Sequence, residues 1–151
     1  MLRYFYQVVN KAIINNDGEI YQYRGDEIVV SWDMENGLKN NNCLDCFYGI
    51  RKTIITHTPE FKNQFGAVPD FKAAIHSGNV ITGEIGLIKK DIVYSGDVLN
   101  TTERMFSLCR RYDQDLIISE RIHNNLYNIS KYHFVFLGEP VLKGKSVKAK
   151  L

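Results

Sequence analysis

Asn100 and Arg104 stand four residues apart in Gly96-Asp97-Val98-Leu99-Asn100-Thr101-Thr102-Glu103-Arg104. On a helix that spacing sets an amide and a guanidinium side by side on one face. Both fall in the first turns, where a helix attracts anions, and an Arg can grip a phosphate through two parallel hydrogen bonds. Taken alone, such a pair is also what a solvated helix face carries. Its chemical meaning depends on what else the chain places around it.

The helix needs a strand before it and a core beneath it. Asp91-Ile92-Val93-Tyr94-Ser95 reads as a short strand over roughly 90–95, and the Gly96-Asp97 break starts a helix that runs to about Tyr112. Val98, Thr102, Met105 and Cys109, with Leu99 and Phe106 beside them, form the apolar stripe expected to dock it. Earlier in the chain, Leu2, Phe5, Val9 and Ala12 recur at helical spacing until Asp17-Gly18 stops them. Strands are expected over 19–24 and 27–32, with Arg24-Gly25-Asp26-Glu27 as the tight connection and Ile28, Val30 and Trp32 alternating with Val29 and Ser31. Asp33 to Asn42 reads as a polar loop. A helix from about Cys43 presents Leu44, Phe47, Ile50/Arg51 and Ile54, and Thr58-Pro59 opens a short second helix to Phe65, with Thr58 able to cap it. Further strands are expected over 70–76, 79–87 and 116–118, a short helix from Ser119 with Ile122 and Leu126 inward, and closing strands at Tyr132–Leu137 and Val147–Leu151.

The chain has 151 residues, 44% of them hydrophobic, enough for a real core in a single domain spanning 1–151. A net charge of +2 without a Lys/Arg run makes no stripe for a polyanion, so no nucleic-acid partner is expected. No apolar stretch approaches the ~20 residues of a membrane span, and Met1-Leu2-Arg3 begins no secretory signal. Three cysteines make an odd count for a secreted disulfide framework, which favours a reduced, cytoplasmic setting. Cys43-Leu44-Asp45-Cys46 has redox or zinc spacing, but it opens a helix instead of following a strand, and no second Cys/His pair accompanies it. Two buried helix residues are the expectation there.

Four segments in order then carry a resemblance. They are Tyr21-Gln22-Tyr23-Arg24-Gly25-Asp26-Glu27-Ile28, the Phe71–Gly78 strand ending in His76-Ser77-Gly78, the Gly96–Arg104 helix start, and Val141-Leu142-Lys143-Gly144-Lys145. Together they resemble the catalytic domain of class III nucleotidyl cyclases, the adenylate and guanylate cyclase family. The resemblance implies an α+β, ferredoxin-like fold of βαββαβ type. Family members begin with a central strand and helix that carry a first metal-binding Asp, and this chain starts after both, so the fold is expected to be N-terminally incomplete with two unpaired sheet edges.

The resemblance also implies a reaction and roles. Two carboxylates hold two divalent ions, Mg²⁺ or Mn²⁺, while the ribose 3′-hydroxyl of a nucleoside triphosphate closes on the α-phosphorus and pyrophosphate leaves. Asp26 matches the second carboxylate, although a Gly-Asp hairpin turn needs no metal to explain it. Asn100 matches the residue that orients the ribose, and Arg104 the one that stabilises charge on the phosphoryl group. Lys143 matches a phosphate-binding Lys, and Lys72 sits where many members carry a basic residue toward the terminal phosphates. Gln22, Gly25 and Val93 match positions that meet the nucleotide. Gln22 can donate and accept and Val93 can do neither, so the pocket is expected to discriminate poorly between bases; ATP is the default by its frequency in the family, with GTP and other triphosphates open. The sites of the family lie in a head-to-tail homodimer: Asp26 and Gln22 would come from one protomer, Asn100 and Arg104 from its partner. Family members commonly follow sensor or membrane segments upstream.

Two rivals remain. A diguanylate cyclase carries a related Gly-Asp-Glu turn, but Arg24 would crowd a nucleotide lying over it, and Asn100 and Arg104 have no role there. A non-catalytic, cyclase-like regulatory domain binding a nucleotide or partner would explain the missing first carboxylate. It would not explain why Asp26, Asn100, Arg104 and Lys143 are all present. His76 is read as structural.

Overall fold

A computed structural model describes residues 1–85, 91–140 and 142, which fall into two compact units. The first unit comprises residues 1–71 with 126–129, and the second 72–125 with the described residues from 130 onward.

In the first unit, α1 (Leu2–Asn15) buries Val9, Ala12 and Ile13 and packs on α3 (Asn42–Thr56), which buries Cys43, Leu44, Cys46, Phe47 and Ile54. Asp17, at φ 55, ends α1 as the Asp-Gly pair suggests. The chain then forms an antiparallel hairpin of β1 (Glu19–Arg24) and β2 (Glu27–Ser31). Its register shifts between Ile20 and Gln22, leaving Tyr21 as the extra residue. The shift has a consequence for side chains. Ile20 pairs with Val30 and Gln22 with Val29, so Ile20 and Gln22 lie on opposite faces, and Gln22 shares its face with Arg24. The simple alternation expected in β2 is not seen, because all five of its residues are half-buried.

The expected loop over Asp33 to Asn42 is instead helical. It holds α2 (Met34–Leu38) and a 3₁₀ turn at Lys39–Asn41. Two contacts and a backbone conformation explain this. Gly37 packs so closely that a Cβ would sit 2.9 Å from the Trp32 Cβ. Asn40 and Asn41 take left-handed φ values of 52 and 63, which Asn tolerates well. The buried Asn41 amide hydrogen-bonds the Tyr127 backbone at both N–H and C=O. A polar run thus folds through amide chemistry that hydrophobic periodicity does not register. α4 (Thr58–Phe65) ends at Gly66, φ +70, as expected. Thr58, however, does not cap it: its hydroxyl turns back to the Ile54 carbonyl at 3.2 Å.

In the second unit, β3 (Ala73–Ile75) pairs in parallel with β6 (Leu116–Ile118), and α5 (Asp97–Arg111) connects across them. Between β3 and α5 lies the antiparallel pair β4 (Ile81–Ile85) and β5 (Asp91–Ser95). The core is Met105, Cys109, Ile117 and Leu142, with Ala74, Leu108, Tyr112 and Leu137 against it. α6 (Glu120–His123) follows, with Ser119 at its N-cap position and Ile122 buried; Leu126, expected inward on it, lies beyond its end and is half-buried. A 3₁₀ turn at Ile129–Lys131 follows.

The architecture is the expected α+β class, with differences in detail. Among the described residues the six strands pair two by two, not in one sheet. The strand expected over 70–76 shortens to three residues because Phe71 turns away, its ring 5.1 Å from Phe47. Tyr132–Leu137 forms no ladder among the described residues, and Val135 and Phe136 are exposed. The strand expected at Val147–Leu151 lies outside the described residues. No described helix is long and apolar enough to cross a membrane.

Gly18 is the tightest joint of the first unit. A Cβ there would stand 2.9 Å from Ile13 and 3.0 Å from both Trp32 and Val30. Overpacking of this kind costs about 1–3 kcal/mol, so Gly18→Ala is expected to lose that much stability, read as a lower urea midpoint at an unchanged m-value.

Candidate active site

The residues singled out by spacing sort into two groups, one in each unit. Gln22, Gly25 and Asp26 share the β1–β2 hairpin, and Lys72, Val93, Asn100 and Arg104 belong to the second unit. Lys143 lies outside the described residues.

The hairpin tip is a two-residue turn. Gly25 occupies the left-handed region at φ +59 with open space around it, the conformation a tight turn asks of glycine. Asp26 beside it is exposed and holds no hydrogen bond or ion pair to described residues. Gln22 is exposed two residues before Gly25's neighbour Arg24, and Arg24 Nε donates to Gln22 Oε1 at 3.0 Å. That bond occupies the amide oxygen and leaves the Gln22 NH₂ outward as a donor pair.

Behind the tip stands a residue the sequence did not flag. The Tyr6 hydroxyl on α1 donates to the Gly25 carbonyl at 2.5 Å. Its ring lies 4.7 Å from Tyr23, and the Tyr23 hydroxyl donates to Asn10 Oδ1 at 3.2 Å. Burial raises the Tyr6 pKa above its usual 10.0, and the negative charge of Asp26 adds to the rise. The hydroxyl therefore stays a proton donor through neutral pH. An aromatic run, Tyr4-Phe5-Tyr6, was the only sequence sign of this contact.

α5 is held tightly at its start. A Cβ on Gly78 would meet Val98 at 2.9 Å, and one on Gly96 would meet the Asn79 carbonyl oxygen at 2.7 Å. The buried stripe is Thr101, Met105 and Cys109. This differs from the expected stripe: Val98, Leu99 and Thr102 are only half-buried, Phe106 is exposed, and Thr101 is inside. Thr101 tolerates burial because its hydroxyl donates to the Asp97 carbonyl at 2.8 Å. The polar side then carries Asn100, exposed, and Arg104, half-buried. Neither side chain has a partner among the described residues. Val93 on β5 is half-buried and pairs with Gly83.

Lys72 is engaged. Its Nζ contacts Asp115 Oδ1 at 3.1 Å and donates to the Gln114 carbonyl at 3.3 Å, tying the start of β3 to the start of β6. His76 meets Ser119 Oγ through Nδ1 at 2.9 Å.

A hard divalent ion of the Mg²⁺ type takes one or two carboxylates and draws its remaining oxygens from water and phosphate. An uncommitted Asp26 fits that mode as one ligand. The described residues contain no group of three or more His, Cys, Asp or Glu that would cage an ion unaided. A groove of about 470 Å³ between α1 and α3, lined in part by Ala12, Gly49 and His57, holds none of these residues.

No protein-family model matches the chain. Among curated proteins it is similar to "Adenylate cyclase 2" of Rhizobium meliloti (strain 1021), with 31% identity over 136 residues, 90% of this chain and 38% of that protein. The chain thus spans well under half of that relative's length. Among solved structures it is similar to the adenylyl cyclase CyaB from P. aeruginosa, with TM-score 0.77 and 17% identity over 99% of this chain and 77% of that one. It is also similar to the guanylyl cyclase Cya2, with TM-score 0.73 and 19% identity over 99% of this chain and 74% of that one. At such identities the structural likeness is one of fold.

The Cys43/Cys46 pair plays no part in this site. Burial pushes Cys43 up to about 11 and Cys46 up to about 12, and it raises Cys109 as well. Raised thiol pKa values mean scarce thiolate below them. Native protein at pH 8 is therefore expected to resist a maleimide at all three cysteines, with labelling accelerating as pH climbs toward 11. Unfolding in urea at pH 8 should expose all three at once, a difference read by mass spectrometry.

Proposed function

We propose, for a chain that carries the fold and motif series of class III nucleotidyl cyclase catalytic domains, that it converts a nucleoside triphosphate to a 3′,5′-cyclic nucleotide and pyrophosphate. The observation that carries this reading is the state of three side chains. Asp26 on a tight turn, and Asn100 and Arg104 on one face of a firmly docked helix, are all uncommitted within the described fold. Polar side chains without internal partners are available to a substrate, and a docked helix and a tight turn fix the backbone that carries them.

In the proposed reaction the ribose 3′-oxygen forms a bond to the α-phosphorus while the bond from that phosphorus to the bridging oxygen breaks. The 3′-hydroxyl proton goes to solvent, and pyrophosphate takes the bonding pair. Asn100 orients the ribose through its amide. The Arg104 guanidinium faces the negative charge that builds on the phosphoryl oxygens. Gly25 leaves the space above the turn clear. Gln22 meets the base with its NH₂ group, the end that Arg24 leaves free, and Val93 adds an apolar contact. Lys72 would reach the terminal phosphates only by leaving Asp115; Lys143 is the second proposed phosphate contact. A bound Mg²⁺ or Mn²⁺ supplies charge neutralisation at the triphosphate, and Asp26 is the residue proposed to hold it.

ATP is the proposed substrate, supported by the name of the Rhizobium relative. GTP is the competing choice, because a guanylyl cyclase shares the fold. The proposed assembly is a head-to-tail homodimer in a cytoplasmic setting, with Asp26 and Gln22 serving a site that Asn100 and Arg104 of the partner copy complete. A sensor or membrane segment upstream is proposed as the source of control. A regulatory, non-catalytic role is the second reading; the ion-paired state of Lys72 favours it.

The test is complementation. This chain alone, without the first metal carboxylate, is expected to be weakly active or inactive. In a catalytically competent protein that contains it, Asp26→Ala and Arg104→Ala are each expected to lose about 10²–10³ in kcat, and a mixture of the two should recover part of the lost cyclic-nucleotide output. Assays of ATP against GTP on the same protein decide the base. A mixture as inactive as either variant overturns the shared site. An unmutated protein that binds triphosphate without releasing pyrophosphate supports the regulatory reading instead.

A further inference from the structure

We propose that Tyr6 is a positioning residue for the turn that presents Asp26, acting through the Gly25 carbonyl; this rests on the reading of Asp26 as a metal-holding carboxylate. The turn has little to hold it by itself. Gly25 has no described atom within 4 Å of where a Cβ would stand, and Asp26 is exposed. Glycine permits the left-handed conformation but does not enforce it, since it has many other states available.

The Gly25 carbonyl and the Asp26 nitrogen belong to one planar peptide group. A bond that fixes the carbonyl fixes the plane and the Asp26 N–Cα bond that lies in it, so that only rotation about that bond and the side-chain torsions remain to aim the carboxylate. The Tyr6 hydroxyl makes that bond across 19 residues of sequence. Its own ring is steadied on two sides, by Tyr23 at 4.7 Å and by Phe5 at 5.9 Å. Asn10, one helical turn after Tyr6, receives the Tyr23 hydroxyl. Helix α1 therefore grips the hairpin at two points, the turn peptide and the strand beside it. In the order of events, α1 supports the turn, the turn aims the carboxylate, and the carboxylate meets the ion.

The experiment measures Mn²⁺ affinity of the full chain by electron paramagnetic resonance, with a non-hydrolysable ATP analogue present. It compares the unmutated protein, Tyr6→Phe and Asp26→Asn, well below each thermal midpoint so that folding is not limiting. Tyr6→Phe keeps the ring and its stacking and removes only the hydroxyl. Outer-shell partners of metal ligands typically contribute on the order of tenfold in affinity, and a loss of that size is the expected result. A merely structural tyrosine would lower the thermal midpoint and leave Mn²⁺ affinity alone. Unchanged affinity in Tyr6→Phe, with a large loss in Asp26→Asn, overturns the positioning role and keeps the metal reading. Unchanged affinity in Asp26→Asn removes Asp26 as a ligand, and the proposal falls with it.

Discussion

The docking of α5 on β3 and β6 is the constraint on which the second unit depends. Met105 and Cys109 are buried with Ile117 and Leu142, and full burial of a Met, Ile or Leu side chain contributes about 1.5–3 kcal/mol. The helix start is pressed down further by Gly78 beneath Val98 and Gly96 beneath Asn79. A helix held along its length and at its N-terminus has no freedom to roll. Asn100 and Arg104 therefore point where the core dictates, and their direction is a property of Met105 and Cys109 as much as of themselves. Lys72 reinforces the same frame by tying β3 to β6 through Asp115 and the Gln114 carbonyl.

In the first unit the corresponding constraint is a register shift. One extra residue at Tyr21 places Gln22 on the face of Arg24 instead of that of Ile20. The Arg24–Gln22 bond then decides which end of the amide faces outward. The same hairpin is gripped from behind by α1 through Tyr6. Two weak devices, a bulge and a tyrosine hydroxyl, thus set the presentation of residues that lie on an otherwise exposed turn. Neither device changes the fold class, and both act on how the side chains of the turn are presented.

Where the structure departs from expectation, the reason is that a competing contact outweighs a local pattern. Asp33 to Asn42 reads as a loop because it is polar and holds Gly37 and three asparagines. It folds as helical turns because Trp32 covers Gly37 and Asn41 finds a buried partner in Tyr127. Thr102 was expected in the apolar stripe of α5, whereas the buried threonine is Thr101. The Asp97 carbonyl accepts the Thr101 hydroxyl and makes its burial affordable. Tyr132–Leu137 has the composition of a strand, and composition supplies no partner.

Elements with a strong local signal were legible in the chain itself. α1, α4 with its Gly66 stop, the β1–β2 turn and the Gly96 start of α5 all follow from apolar spacing and from the backbone freedom of Gly and Asp-Gly pairs. So was the motif series that marks Asp26, Asn100 and Arg104. Only the tertiary structure decided which of the polar residues are free and which are spent. Lys72 and Asn41 are committed to internal partners, Gln22 has one end occupied, and the side chains of Asp26, Asn100 and Arg104 have none among the described residues. The physical reason is range. Turn chemistry and helical periodicity act over four or five residues, whereas Tyr6 with Gly25, Lys72 with Asp115 and Asn41 with Tyr127 meet across 19, 43 and 86 residues, distances that only packing brings together.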